Sequence, residues 1–193
     1  SKYIDNNYTW ANNIGVSSAY LKTVTNYPEN PSALYTKADG IWYRLTGSSA
    51  AVCSFQDGLS GSVTVPASVE YEGKQYAVTA LDEFAFCELN GITSLTLPEG
   101  LKTMGRYAVL KLHGLQQLSL PVSLEKLETL SVFSLLSLQS VSYAGTKEQW
   151  RAVEKPASRP GDTWINGVQK TISFTCEGGT LTEAEWRGNV PEA

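Results

Sequence analysis

Nine uncharged polar side chains fall into three groups: Thr93, Ser94 and Thr96; Gln116, Gln117 and Ser119; Gln139, Ser140 and Ser142. Each group follows the last after 23 residues. A hydroxyl both donates and accepts a hydrogen bond, and a carboxamide sets two N–H donors beside a carbonyl acceptor. A regular array of such groups could bond a polypeptide edge or the hydroxyls of a sugar. A merely solvated sheet face would carry the same residue types, and the aromatic anchors of a tight binding site are absent from these positions.

Other chemistry has weaker support. The sole histidine, His113, has no nucleophile and orienting acid at a triad-like spacing, and it reads as a loop residue. Carboxylates such as Asp39, Asp57, Glu70, Glu72, Glu83 and Glu99 are scattered. They form no alternating-acid calcium loop and no His-containing metal motif. A glycosidase pair would have to be assembled in space, and nothing in the spacing argues for one. No Gly-Lys-Ser/Thr phosphate loop is present. Cys53, Cys87 and Cys176 are odd in number and lack a CxxC spacing, which argues against a metal knuckle and a fully paired disulfide framework. Three free thiols are expected, with Cys87 a buried small hydrophobe because it shares its repeat position with Leu110 and Phe133. The residues therefore indicate no enzyme, no metal and no cofactor.

Charge narrows the partners. Fifteen Lys and Arg against nineteen Asp and Glu give a net charge of −4 without a basic stripe, which disfavours nucleic acid and anionic membranes. No apolar run approaches a transmembrane span, so direct membrane insertion is not expected, and no secretory signal pattern follows Ser1.

The elements that must position the nine residues are written in the apolar pattern. Leu81, Phe84, Phe86, Cys87, Leu89, Ile92, Leu95 and Leu97 map after 23 residues onto Met104, Tyr107, Val109, Leu110, Leu112, Leu115, Leu118 and Leu120. A second step lands on Leu127, Leu130, Val132, Phe133, Leu135, Leu138, Val141 and Tyr143. Self-similarity at this period marks a solenoid, in which one repeat cannot bury its own apolar face and stacking supplies the core. The run Ile92 to Leu97 has the LxxLxL spacing of a leucine-rich-repeat strand. Alternation sends Leu95 and Leu97 inward and Ser94 and Thr96 outward, and successive strands pair in parallel because a whole coil separates them. Return segments such as Asp82 to Leu89 are expected to cross the far side with a short helical turn.

Both ends depart from the period. Residues 1–38 read as a leader or packed extension, with Ile14, Tyr20, Leu21 and Val24 on a weak helical face before Pro28 and Pro31. Tyr8, Trp10, Tyr20 and Tyr27 offer an aromatic alternative to the polar array, and Asn7-Tyr8-Thr9 matches a glycosylation acceptor. Residues 39–193 form the repeat domain: 39–79 an N-terminal cap of hairpins with a degenerate repeat, 80–142 the regular repeats, and 143–193 a C-terminal cap. Ile41 to Leu45 and Ala50 to Phe55 form one hairpin, and Glu72-Gly73 turns a second. Thr146 with Gln149, and Thr182 with Glu185, have capping-box spacing. Asn166-Gly167 suggests a further hairpin turn, and Trp150, Trp164 and Trp186 are the expected anchors of a lid.

The stretch AFCELNGITSLTLPEGLKTMG and its copy ending in LSLPVSLEKL resemble the AF-x-x-C-x-x-L-x-S-I-x-I-P-x-S-V-x-x-I-G unit of the BspA-like leucine-rich repeats. DGIWYRL, SVTVPASVEYEGKQYAVTAL, YAGTKEQW and FTCEGG are similar to that family's opening and closing segments, so the likeness runs over residues 39–186. Asp82 and Glu128 depart from the family glycine that Gly105 keeps, and Val109 and Val132 from the phenylalanine kept at Phe86. The resemblance implies a short right-handed solenoid with one parallel strand per 23-residue repeat, a β-hairpin N-terminal cap and an α+β C-terminal cap. It implies a bacterial, often Bacteroidetes, secreted or outer-membrane surface protein, adhesive towards a protein or glycan on a host or microbial surface. It implies no catalytic residues. The competing expectation is a structural spacer with no ligand of its own.

Overall fold

The computed structural model describes residues 34–54, 56–159 and 161–188. The leader's helical face, its aromatic residues and its glycosylation triplet lie outside the described residues. The chain enters through β1 (Leu34–Ala38), β2 (Ile41–Thr46) and β3 (Ser49–Val52), antiparallel in sequence order. Asp39 and Gly40, at φ 48° and 83°, close the first turn in the left-handed geometry that two-residue hairpins need. A domain boundary drawn at 38/39 therefore cuts this hairpin. All five β1 residues pair with β2, which ties Leu34–Ala38 to the cap rather than to a leader.

Next come β4 (Gly61–Thr64), β5 (Ser68–Tyr71) and β6 (Lys74–Leu81), with β5 and β6 forming a hairpin over Glu72-Gly73. The regular coils then each cross three sheets. The first contributes β7 (Phe86–Cys87), β8 (Ile92–Thr96) and β9 (Thr103–Met104). The second contributes β10 (Val109–Leu110), β11 (Gln117–Leu120) and β12 (Lys126–Leu127), and the third begins with β13 (Val132–Phe133) and β14 (Ser140–Thr146).

Parallel pairing stacks these strands with like on like. Leu118 lies between Leu95 and Val141, Val109 between Phe86 and Val132, and Met104 between Leu81 and Leu127. All nine side chains are buried, so three apolar rows, one per sheet, fill the inside of the coil. Hydrogen bonds between equivalent positions, such as His113 N–H to Asn90 Oδ1 and Ser142 Oγ to Ser119 Oγ, join residues 23 apart.

The return segment is not the expected helical turn. It is a two-residue strand bracketed by left-handed residues: Phe84 and Glu88 at φ 58° and 54°, Tyr107 and Lys111 at 57° and 52°, Leu130 and Ser134 at 53° and 60°. A helix would need its N–H groups for bonds within its own turn. Here they point to the next coil instead: Phe86 N–H to Ala108 O at 2.8 Å, Val109 N–H to Ser131 O at 2.9 Å and Lys111 N–H to Phe133 O at 2.9 Å. Each repeat therefore carries three strand segments rather than one, with the long strand in the six-stranded sheet.

The C-terminal region also differs from the expected lid. α1 (Lys147–Ala152) starts at the Thr146–Gln149 capping box. The chain then rejoins the array at all three sheets: Glu154 bridges Lys126, β15 (Ile165–Asn166) pairs with β13, and β16 (Ser173–Glu177) pairs with β14, all in parallel. This is a further coil of the solenoid, lengthened by the helix. Asn166-Gly167 is accordingly a corner between two sheets and not a hairpin, since β15 and β16 never pair with each other. Gly167 needs its missing side chain, because at φ 67° a Cβ would stand 2.9 Å from the Ser134 backbone.

The short hairpin partner β17 (Gly179–Thr180) and α2 (Glu183–Arg187), capped by Thr182 and Glu185, close the end. Trp150, Trp164 and Trp186 are buried anchors as the sequence suggested, at 0%, 0% and 1% exposure. Phe174 sits 4.8 Å from Trp150 between ring centroids, and Trp164 Nε1 donates to Trp186 O at 2.9 Å. Lys155 Nζ donates to Trp150 O at 2.6 Å and Val153 O at 2.9 Å, closing the carbonyl end of α1 while standing 4.4 Å over the Trp150 ring.

Candidate functional site

The regular coils place their longest strands, β8, β11 and β14, in the six-stranded sheet, and all nine polar positions lie on or beside it. Pairing sorts them into three rows. Ser94, Gln117 and Ser140 are register partners, as are Thr96, Ser119 and Ser142. Gln116 and Gln139 occupy the corner just before β11 and β14, level with Thr93 inside β8: Gln116 N–H donates to Thr93 O and Gln139 N–H to Gln116 O, both at 2.9 Å. Thr93 and Ser94 both face outward despite being consecutive, and the β4–β8 register shifts at the same level. Six of the nine are exposed, while Ser94, Ser119 and Ser140 are half-buried between neighbours.

The array is wider than sequence spacing indicated. Ser62 and Thr64 on β4 pair with Ser94 and Thr96, and Ser173 and Thr175 on β16 pair with Ser140 and Ser142. Two rows of five result: Ser62, Ser94, Gln117, Ser140, Ser173 and Thr64, Thr96, Ser119, Ser142, Thr175. A Ser-x-Thr pattern around Val63 and Phe174 was the available signal, obscured because the coils at both ends carry insertions. Adjacent strands lie about 4.8 Å apart, so each row spans roughly 19 Å. Ser142 Oγ donates to Ser119 Oγ at 3.1 Å, which ties neighbouring rungs.

No charge interrupts these rows. Ion pairs lie elsewhere, with Lys102–Glu125 at 3.3 Å, Lys126–Glu128 at 3.2 Å and Lys126–Glu154 at 3.4 Å on the seven-stranded side, and Lys111–Glu88 at 3.7 Å beside the four-stranded sheet. The outer side of the four-stranded sheet is closed by its own aromatics. Phe84 and Tyr107 stack at 5.5 Å and Tyr107 meets Phe133 at 6.0 Å.

The remaining reactive groups are in structural positions. Burial pushes the Cys53 thiol up to about 12, and burial raises Cys87 well above its ordinary value. Burial also lifts the Tyr43 phenol. It depresses the Lys155 amine to about 8, against the two carbonyls that favour its charged form. His113 is exposed at a corner with its backbone N–H on Asn90. Among the described residues no group of three or more His, Cys, Asp or Glu could hold a metal ion, and no helix is long and apolar enough to cross a membrane.

Stacked parallel strands over continuous leucine-like rows define a leucine-rich-repeat solenoid. The chain is similar to a leucine-rich repeat protein from Bacteroides capillosus ATCC 29799, with 24% identity over 75% of this chain and 99% of that one and a TM-score of 0.58. It is also similar to a leucine rich cell surface protein from Faecalibacterium prausnitzii A2-165, with 16% identity over 73% of this chain and 44% of that one and a TM-score of 0.48. A leucine-rich repeat protein from Bacteroides ovatus ATCC 8483 shares 16% identity over 75% of this chain and 36% of its own, with a TM-score of 0.41. The chain spans less than half the length of these last two. No family model and no curated protein matches the sequence. A repeat fold in bacteria of this kind is what the resemblance to BspA-like repeats implies, and leucine-rich-repeat folds are not typically enzymatic.

Proposed function

We propose that this protein is a non-enzymatic recognition module, secreted or displayed on a bacterial surface, that adheres to a protein or glycan through the outer wall of its six-stranded sheet. One observation carries the reading: uncharged hydrogen-bonding side chains persist in register across five strands, including both irregular coils. A solenoid holds such groups at fixed spacing, so a partner meets a wall already ordered before contact. Export rests on the resemblance to BspA-like repeats.

The test replaces Gln116, Gln117 and Ser119 together with lysine or glutamate and measures binding in a cell-adhesion assay and on a glycan array. The expected result is loss of binding with an unchanged thermal midpoint. Unchanged binding removes this wall as the site, and no binding by the unaltered protein to any surface favours a spacer without a ligand.

A further inference from the structure

One corner of the wall differs from the others. Where the third coil turns from β13 into β14, a recess of about 420 Å³ opens against the final coil. Gln116, Gln139 and Gln169, three carboxamide residues, line it together with Thr171 and Leu136. Leu136 is 56% exposed, although the same repeat position holds the polar Asn90 and His113 in the two preceding coils. None of the three carboxamides has a protein hydrogen-bond partner among the described residues.

The lining selects a ligand class. It contains no Asp, Glu, Lys, Arg or His. A phosphate, carboxylate or ammonium group would lose water here and gain no counter-charge. A hydrocarbon would strip water from three carboxamides without replacing their hydrogen bonds. A peptide strand would need free backbone groups to pair with. On the wall side of the recess these groups are consumed between coils: Gln139 N–H and Ser140 N–H both donate to Gln116 O, and Ser173 N–H donates to Gln139 O at 2.9 Å. A neutral ligand with an apolar face and a rim of hydroxyls remains. Gln116 and Gln139, on rungs about 4.8 Å apart, can each give a donor and an acceptor to such a rim, while Leu136 covers the apolar face.

We infer that this recess is a subsite for a neutral saccharide unit, an inference that rests on the recognition reading and names its ligand class. The test is an array of neutral oligosaccharides beside sialylated, sulfated and uronate ones, probed with the whole protein. The variants Leu136→Ser and Gln169→Ala touch the recess but none of the nine wall positions, and Glu148→Ala on exposed α1 is the control. Retention of neutral glycans, reduced at least tenfold by Leu136→Ser combined with Gln169→Ala and unchanged by Glu148→Ala, supports the inference. Retention of charged glycans alone, or equal retention by the recess variant, overturns it. So does a recess variant that loses a protein partner while no glycan is retained. Loss of the inference with cell adhesion intact leaves the recognition reading standing, whereas absence of both glycan retention and adhesion removes both.

Discussion

The six-stranded and four-stranded sheets are built by the same coils and share one interior, yet their outer sides are opposites. Outside the six-stranded sheet, two polar rows meet solvent across five strands. Outside the four-stranded sheet, Phe84, Tyr107 and Phe133 close over the surface, and Cys87 and Leu110 are buried although they alternate with the inward Phe86 and Val109. The difference follows from segment length. A run of four to seven residues leaves a flat wall with an outer set of side chains. A two-residue strand between two left-handed corners leaves no such wall, and the corner residues Phe84 and Tyr107 fold onto each other. One side of the coil spends its outer surface on stability, and the other keeps it available.

The largest expected effect lies in the shared interior. Leu118 is 1% exposed between Leu95 and Val141, and Leu118→Ala leaves a cavity in a row that cannot collapse without moving both neighbouring coils. A loss of about 4 kcal/mol is expected, measured by chemical denaturation. Tyr107→Ala should cost about 3 kcal/mol, because it removes the middle ring of the outer stack and the partner of the Arg106 guanidinium 5.0 Å away. A loss below about 0.5 kcal/mol at Tyr107 would mean that the aromatic layer is as dispensable as a solvated surface, and the contrast between the two sheets would fail.

Thiol chemistry probes the same layers. At neutral pH an alkylating reagent should modify half-exposed Cys176 and spare buried Cys53 and Cys87 until the protein unfolds, as read by mass spectrometry. The pH dependence has a definite sign. Burial, reinforced by the Asp82 charge, raises Cys53 from an ordinary 9.0 to about 12, so the folded state keeps a proton that the unfolded chain releases. The contribution is fully present below pH 9 and is lost as pH rises toward 12, so denaturation midpoints should fall across that window. Cys53→Ala should flatten the fall, and an unchanged slope would show that another group is responsible.

Periodicity exposed the interior because burial constrains residue type: Leu95, Leu118 and Val141 had to be alike to stack, and they do. The capping boxes at Thr146 and Thr182 were legible for a local reason, since each is satisfied within four residues. The corners were not. Phe84, Tyr107 and Leu130 adopt a backbone that bulky residues seldom take, so composition pointed to a helical turn, and only hydrogen bonding between coils decides otherwise. The last coil was hidden by the inserted α1, which throws Ile165 and Phe174 out of register although they occupy the same rows. Three of the polar rungs could be read from the repeat, whereas Ser62, Thr64, Ser173 and Thr175 emerged only from strand pairing. The recess around Leu136 needs two coils of different length side by side, which no single repeat encodes.

The smallest effect is the sharpest test of the contrast. Gln117 and Ser119 sit mid-wall, the first exposed and the second half-buried, and neither belongs to a charged network. Replacing both with lysine adds two like charges on one strand, separated by a solvated gap where screening is strong. Stability should change by no more than about 0.5 kcal/mol, since neither substitution opens a cavity, the lysine stem at 119 carries its ammonium out to solvent, and the Ser142–Ser119 hydrogen bond that is lost is exposed. The Tyr107 position sits on an outer surface too, and the same chemistry there, Tyr107→Lys, would set an ammonium between two rings in place of a stacked phenol. If the wall variant is destabilised as much as the Tyr107 variant, the hydroxyl rows are part of what holds the coils together. If it is not, their in-register persistence across both irregular coils is left without a stabilising role, which is the condition under which a contact role for the wall gains weight.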